Sequence, residues 1–452
     1  MLEIIIAAAV LLGVSCLVVK NYKPQTVIFL GGMILLACAV IMGKPIIAVK
    51  QSTGNVWFDI FKVIENLFSN RVAGLGLMIM SVAGFVRYMD HIGASKAFVK
   101  ISVKPLHYVR SPYLVLAFGY ILGQLMKMAI TSAAGLGMLL MATMFPVLIG
   151  IGASRTAAAA IIVTCSCIDL GPAAATSNLI AKTAGIDSVA YFVNYQIMIA
   201  IPVMLVIAAL HYCVQSWFDK KDNHVAVSSE FAVAVTDEAK SPVIYGILPI
   251  IPLLIIFIFS PIVGSSIKMS LVSAMLFGIF ISMICEYIRY RDAQKVFKSI
   301  QSFFDGMGNA FATIVTLVVA GETFANGLTA IGAVDMVLNA SKSAGFGADA
   351  MTILLQVVIA GATIVTGSGD ASMFSFVGLV PTIASQYQID PVYLLLPMQF
   401  AATIARAVSP ISAVCIAVAG IASVSPVEVV KRTAIPMAGA MIVTTIATII
   451  VF

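Results

Sequence analysis

Apolar runs about as long as a bilayer is thick follow one another from Leu2 to Val451, and one polar interval of any length, 217–241, separates them. A membrane-crossing helix needs about 20 such residues. With 61% of the residues hydrophobic and 10% charged, the chain has too little polar surface to cover a water-soluble globule, which carries about a quarter charged residues. Soluble enzymes, nucleic-acid binders and secreted scaffolds are excluded together. The chain reads as an all-α polytopic membrane protein, in contact with lipid and not with nucleic acid. Its net charge of +6 is then the Lys and Arg excess of cytoplasmic loops. The start lacks a basic stretch and a small-residue cleavage site, so it reads as a retained first helix. The seven cysteines lie in apolar runs without ligand spacing, which predicts no disulfide and no metal. The histidines, His211 among them, fall near span ends or in loops and read as solvated.

The polar interval divides the chain into two halves with the same punctuation. In 1–216 the pattern predicts helices at 2–19 and 25–42, an amphipathic stretch at 50–69 and a helix at 71–90. Two short segments follow, 112–130 and 136–152, around Thr131-Ser132-Ala133-Ala134-Gly135-Leu136-Gly137. A helix at 155–181 is interrupted at Gly171-Pro172, and the last covers 189–216. In 242–452 the order recurs: 242–260, 266–288, an amphipathic stretch 291–304 and a helix 306–328. Two short segments, 347–365 and 373–388, bracket Thr366-Gly367-Ser368-Gly369-Asp370-Ala371-Ser372. A helix at 392–422 is interrupted at Ser409-Pro410, and 427–451 ends the chain. Tip and break are 41 residues apart in the first half (Thr131 to Pro172) and 44 in the second (Thr366 to Pro410).

If the pairs 112–152 and 347–388 are re-entrant hairpins, each half crosses the membrane five times and the halves are inverted repeats. The distribution of basic residues tests this. With both termini outside and 217–241 cytoplasmic, seventeen of the 26 Lys and Arg fall inside, seven outside, and Lys127 and Arg406 at membrane depth. The inverted topology passes.

Hydrocarbon tolerates unpaired backbone groups only beside protein or a water-filled cavity. Two tips and two breaks at matching places in inverted halves are the pattern of a transporter with its site near the midplane. The second arm of each hairpin starts at its tip, so its free N–H groups and positive dipole end attract a carboxylate or phosphate. Thr131, Ser132, Thr366 and Ser368 add hydroxyls, while Gly135, Gly137, Gly367 and Gly369 allow close approach to backbone. The bland alternative is tight helix packing through small residues. Two such clusters at matching positions favour a site.

Arg406 lies 14 residues beyond Val392, roughly 20 Å along the helix. A charge there is costly unless paired, and its forked donors suit a substrate carboxylate; a structural pair with Glu322 or Asp370 is the equal alternative. Asp169, Glu322 and Asp370 are candidates for binding a coupling H+ or Na+. Asp169 could instead cap the break, and Glu322 could form an internal salt bridge. Asn178 is a candidate polar ligand beside the first break, and Ser409 one at the second. Lys127 is near enough to a helix end to snorkel. No nucleophile–base pair or nucleotide loop appears, so neither an enzyme nor a cofactor is expected.

The runs 131–141, Thr366-Gly367-Ser368-Gly369, Ala405-Arg406-Ala407-Val408-Ser409-Pro410 and Val429-Val430-Lys431-Arg432-Thr433 resemble the anaerobic C4-dicarboxylate carriers of the DcuC/DcuD type, nearer the DcuD branch. The likeness covers essentially the whole chain. It implies a multi-pass bacterial inner-membrane carrier for succinate, fumarate, malate or aspartate, within the ion-transporter superfamily. It further implies a homodimer of elevator type, with 1–90 and 242–328 as scaffold and the hairpins and broken helices (112–152, 155–181, 347–388, 392–422) as the moving part. Asp370 stands where the family pattern has Asn, Ser372 where it has Pro, and Lys127 is atypical. An acid at the tip repels a dianion unless it is protonated or cation-bound. The alternatives are a cation–proton antiporter, or a carrier of another small organic anion.

Overall fold

The computed structural model describes residues 2–20, 22–108, 111–222, 242–259, 267, 269–333, 336 and 347–452, and among these every regular element is helical. Eight of the described helices are long and apolar enough to cross a membrane. Large aliphatic and aromatic side chains such as Ile41, Leu205, Phe280, Ile288, Ile442 and Ile450 are exposed on them. A soluble monomer rarely presents apolar patches on that scale; here they form the lipid-facing surface.

Local chemistry sets the interruptions. At the first tip the helix Pro112–Lys127 ends and Ala133–Gly150 begins, with the Ser132 hydroxyl accepting from Gly135 N at 3.1 Å as an N-cap. At the second, Ala348–Thr366 closes on Gly367 in the left-handed region (φ 72°), and Ser368 caps Gly369–Phe376 by accepting from Ala371 N at 3.2 Å. Both are the expected chemistry of helix ends. The first broken helix runs Arg155–Thr164 and resumes at Ala175–Ala184. Between its halves lie Gly171 at φ 92° and Pro172, which has no N–H to continue a helix. The second runs Pro391–Arg406 and Ala413–Ala422, with Ser412 capping the restart.

The structure corrects several expected boundaries. The amphipathic stretch 50–69 and the helix 71–90 are one helix, Val56–His91, as are 291–304 and 306–328 within Ala293–Ala330. Arg71, at the expected boundary, is absorbed by an ion pair with Glu322 at 2.6 Å, and no proline interrupts the helix. Each long helix instead carries a single π-turn, Val72–Gly76 and Phe311–Val315, as does a third helix at Phe192–Gln196. The arm expected at 373–388 starts earlier, at Gly369, because Ser368 caps it, and passes through a 3-10 turn at Val377–Leu379. The helix expected to end at 216 continues to Lys221, so 217–221 is helical; residues 223–241 lie outside the described residues.

Helix pairs approach closely through glycine, as membrane helices do. A Cβ on Gly321 would lie 2.2 Å from the Phe374 carbonyl oxygen, so the second hairpin arm rests directly on the long helix Thr316–Ala330. Gly321→Val is expected to destabilise the protein by about 1–3 kcal/mol through overpacking. A lower melting temperature in detergent checks this; an unchanged one means the arm does not pack there.

Candidate functional site

A cavity of about 500 Å³ opens between the two tips, the two breaks and the long helices Val56–His91 and Ala293–Ala330. Thr131, Ser132, Ala133 and Ala134 line it from the first tip, and Gly367, Ser368, Gly369 and Asp370 from the second. Asp169 and 173–175 come from the first break, and Arg406, Ala413 and Val414 from the second. The opposite wall contains Arg87, Asp90, Asn309 and Thr313 among apolar residues.

Four helix N-termini therefore reach one space: those starting at Ala133, Ala175, Gly369 and Ala413. The first N–H groups of a helix have no partner within it, and each terminus carries roughly half a positive charge. The hairpin tips contribute two of these ends, as the sequence suggests. The restarted halves of the broken helices contribute the other two.

The charged centre is Asp169. Lys127 Nζ lies 2.9 Å from its carboxylate and Arg406 Nη2 3.5 Å, while the Thr176 hydroxyl donates to it at 3.1 Å. Lys127 also donates to the Thr131 carbonyl at 2.5 Å, tying the first tip to the first break. Arg406 Nη2 donates to the Ser166 carbonyl at 2.7 Å. Its Nε and Nη1 have no partner among the described residues, and Arg406 lines the cavity. Its ion-pair partner is thus Asp169, and not Glu322 or Asp370. Lys127 does not snorkel: with 3% of its side chain exposed, it is buried against a carboxylate that arrives from 42 residues away. Asp370 sits in the first turn of Gly369–Phe376, lines the cavity, and has no hydrogen bond or ion pair among the described residues.

The other singled-out residues are placed differently. Ser132 and Ser368 line the cavity and accept a capping N–H on their hydroxyl oxygens, which leaves each hydroxyl proton to donate. The Thr366 hydroxyl accepts from Ser368 N at 3.2 Å, within the turn. Gly135, Asn178, Ser409 and Glu322 are not among the cavity-lining residues. Asn178 is buried, donating to the Pro172 and Ala174 carbonyls and accepting from Ser188 at 2.7 Å. The buried Ser409 hydroxyl donates to the Ile364 carbonyl at 2.8 Å, fastening the second break to the second hairpin. Gly369 serves packing as well as access, since a Cβ there would lie 2.5 Å from the Ala402 carbonyl. His211 is fully buried, with Thr164 Oγ1 at 2.9 Å, and is not solvated.

Three glutamines hold the first break open. Gln124 donates to the Ile168 carbonyl at 2.6 Å and accepts from Ile168 N, while Gln196 accepts from Gly171 N at 3.1 Å. Gln399, on the other broken helix, donates to the Asp169 carbonyl at 3.0 Å and accepts from Tyr191 at 2.7 Å. Unwound backbone in a membrane needs such replacement partners. Neutral glutamines inside apolar helices give little sequence signal, though amides in such runs are themselves uncommon. Gln399→Leu is expected to cost about 1–3 kcal/mol for each buried group left unpaired, read as a fall in melting temperature. A neutral result would mean that the break is held by other bonds.

A polar cavity walled by broken helices inside an apolar helical body defines a membrane transporter. Over residues 2–452 the sequence matches the family described as DcuC, C4-dicarboxylate anaerobic carrier, and the chain belongs to that family. It is 35% identical over 452 residues to a probable anaerobic C4-dicarboxylate transporter DcuC of Vibrio cholerae, covering 100% of this chain and 98% of the relative. With the anaerobic C4-dicarboxylate transporter DcuC of Escherichia coli K12 it shares 36% identity over 448 residues, 99% of this chain and 96% of the relative. Two solved structures have the same fold at low identity. The YdaH transporter of Alcanivorax borkumensis has a TM-score of 0.64 at 13% identity, covering 94% of this chain and 98% of its own. MtrF of Neisseria gonorrhoeae, from a report on antimetabolite efflux pumps, has a TM-score of 0.61 at 12% identity, covering 95% of each chain.

Proposed function

We propose that this protein is a secondary active transporter that moves C4-dicarboxylates (succinate, fumarate, malate or aspartate) across the bacterial inner membrane by ion-coupled symport or exchange. The observation that carries this reading is the convergence of four helix N-termini and the forked donors of Arg406 on one cavity. Two carboxylates need two such anion sites, and a rigid guanidinium fork suits one of them. Membership of the C4-dicarboxylate carrier family supports the same substrate class. In this reading Arg406, Thr131, Ser132, Gly367, Ser368 and Gly369 meet the substrate. Gly135, Asn178, Thr366 and Ser409 act one step back, by holding the tips and breaks in shape.

The transport cycle we propose is an elevator in a homodimer built from inverted repeats. Matched element order in the two halves supports the repeats, down to the paired π-turns at 72–76 and 311–315. The cavity's position between long helices and hairpins is where a moving part would slide on a scaffold. Of the coupling candidates, Asp169 and Glu322 are ion-paired and Asp370 is not. That unpaired acid is also the observation that favours a cation–proton antiporter as the second reading. Uptake of labelled succinate and L-aspartate into proteoliposomes, with proton or sodium gradients imposed, separates the two. Saturable uptake competed by other C4-dicarboxylates is expected; ion exchange without organic-anion entry would overturn the proposal.

A further inference from the structure

Among the charged groups at the tips and breaks, a plain dicarboxylate leaves one unmatched; on the opposite wall Arg87 and Asp90 stand three residues apart on one helix, within electrostatic reach of each other. Lys127 is committed to Asp169 and to the Thr131 carbonyl. Arg406 uses Nη2 on the Ser166 carbonyl and Asp169, and its Nε and Nη1 remain for a carboxylate. The unpaired N–H groups at Ala133, Ala134 and Gly369 serve a second carboxylate. That leaves Asp370, facing the cavity from the second tip within electrostatic reach of Asp169, Arg406 and Lys127, with no hydrogen-bonding partner among the described residues. Succinate or malate would bring a second carboxylate into that space and offer Asp370 nothing. A ligand with two carboxylates and one ammonium group would satisfy Arg406, the tip N–H groups and Asp370 at once.

We propose that Asp370 is the receptor for a substrate α-ammonium group, which makes this cavity selective for 2-amino-dicarboxylates over hydroxy- and unsubstituted ones. The proposal rests on the dicarboxylate reading above and narrows its substrate. L-Aspartate and L-malate are the informative pair, because they differ only by an ammonium in place of a hydroxyl. A hydrogen bond between charged groups is stronger than a neutral one, so the ammonium is expected to improve apparent affinity by roughly tenfold or more.

The test is inhibition of labelled L-aspartate uptake in proteoliposomes of the full chain by unlabelled aspartate, malate and succinate at neutral pH. In the wild-type protein, aspartate is expected to compete at roughly tenfold lower concentration than malate or succinate. In Asp370→Asn that advantage should collapse, with the half-inhibitory concentrations converging; Asp370→Glu, which keeps the charge, should retain part of it. The wild-type comparison stands even if a variant fails to fold. Equal competition by aspartate and malate in the wild type overturns the inference, as does an aspartate advantage that survives Asp370→Asn. Equal competition combined with obligatory proton or sodium co-entry would assign Asp370 to an inorganic cation instead, and also overturns it. Those results leave the dicarboxylate reading standing. Its own failure has a different signature, namely no entry of either labelled aspartate or labelled succinate.

Discussion

Arg406→Ala is expected to abolish dicarboxylate uptake while leaving the protein folded. The two halves of that expectation have separate causes. At the tips and breaks the guanidinium is the cationic group with free donors, since Lys127 is bound to Asp169 and to the Thr131 carbonyl, while Arg87 stands on the opposite wall. Removing it leaves Asp370 as the uncompensated charge at the tips, so an incoming carboxylate meets repulsion there in place of a fork. Truncating one partner of a buried charge-assisted contact costs about 2–5 kcal/mol, which takes uptake down by roughly thirtyfold to several thousandfold. Folding survives because Asp169 keeps Lys127 at 2.9 Å and Thr176 at 3.1 Å. Arg406→Lys keeps the charge without the planar fork and should fall between the two. Proteoliposome uptake with a parallel melting curve checks both halves, and normal uptake by the alanine variant would remove Arg406 from the site.

The largest stability effect is expected at Asp169. Its carboxylate answers Lys127 and Arg406 together, and it is 8% exposed. Asp169→Ala leaves Lys127 buried without a counter-charge, and breaking a buried pair from one side costs about 3–5 kcal/mol. Lys127→Ala should cost less, because Asp169 would still have Arg406 and Thr176. The pair Lys127→Met with Asp169→Leu tests the cause: removing both charges should recover much of the loss, since buried ion pairs seldom outperform apolar replacements. Equal destabilisation by the double and the single Asp169 variant would show that the backbone bonds around the break, and not the ion pair, were at stake.

The interruptions were legible in the sequence because their causes are local. Gly367, Gly171, Pro172 and Pro410, together with the capping serines 132, 368 and 412, act within one turn of where they stand. Hence the tips and breaks are located well from residue type alone. Pairings across the chain have no such signature. Lys127 looks like a snorkelling lysine because nothing near it is acidic; its partner comes from 42 residues on, and Arg406 reaches the same carboxylate across 237. Arg71 and Glu322 are 251 apart, so each looks isolated until the two long helices are brought together. The glutamines at 124, 196 and 399 carry no sequence signature for the same reason. Asn178 stands at the right break, but its amide is consumed by the Pro172 and Ala174 carbonyls, which proximity in sequence does not reveal.

The central claim is that a small dicarboxylate sits between the two tips, held by helix N-termini and Arg406. A density map of the protein with saturating L-aspartate tests it most directly. Ligand density in the cavity, within hydrogen-bonding distance of the Arg406 guanidinium and of backbone N–H groups at both tips, is the predicted result. Ligand density elsewhere, with the space beside Arg406 filled only by water, would contradict it.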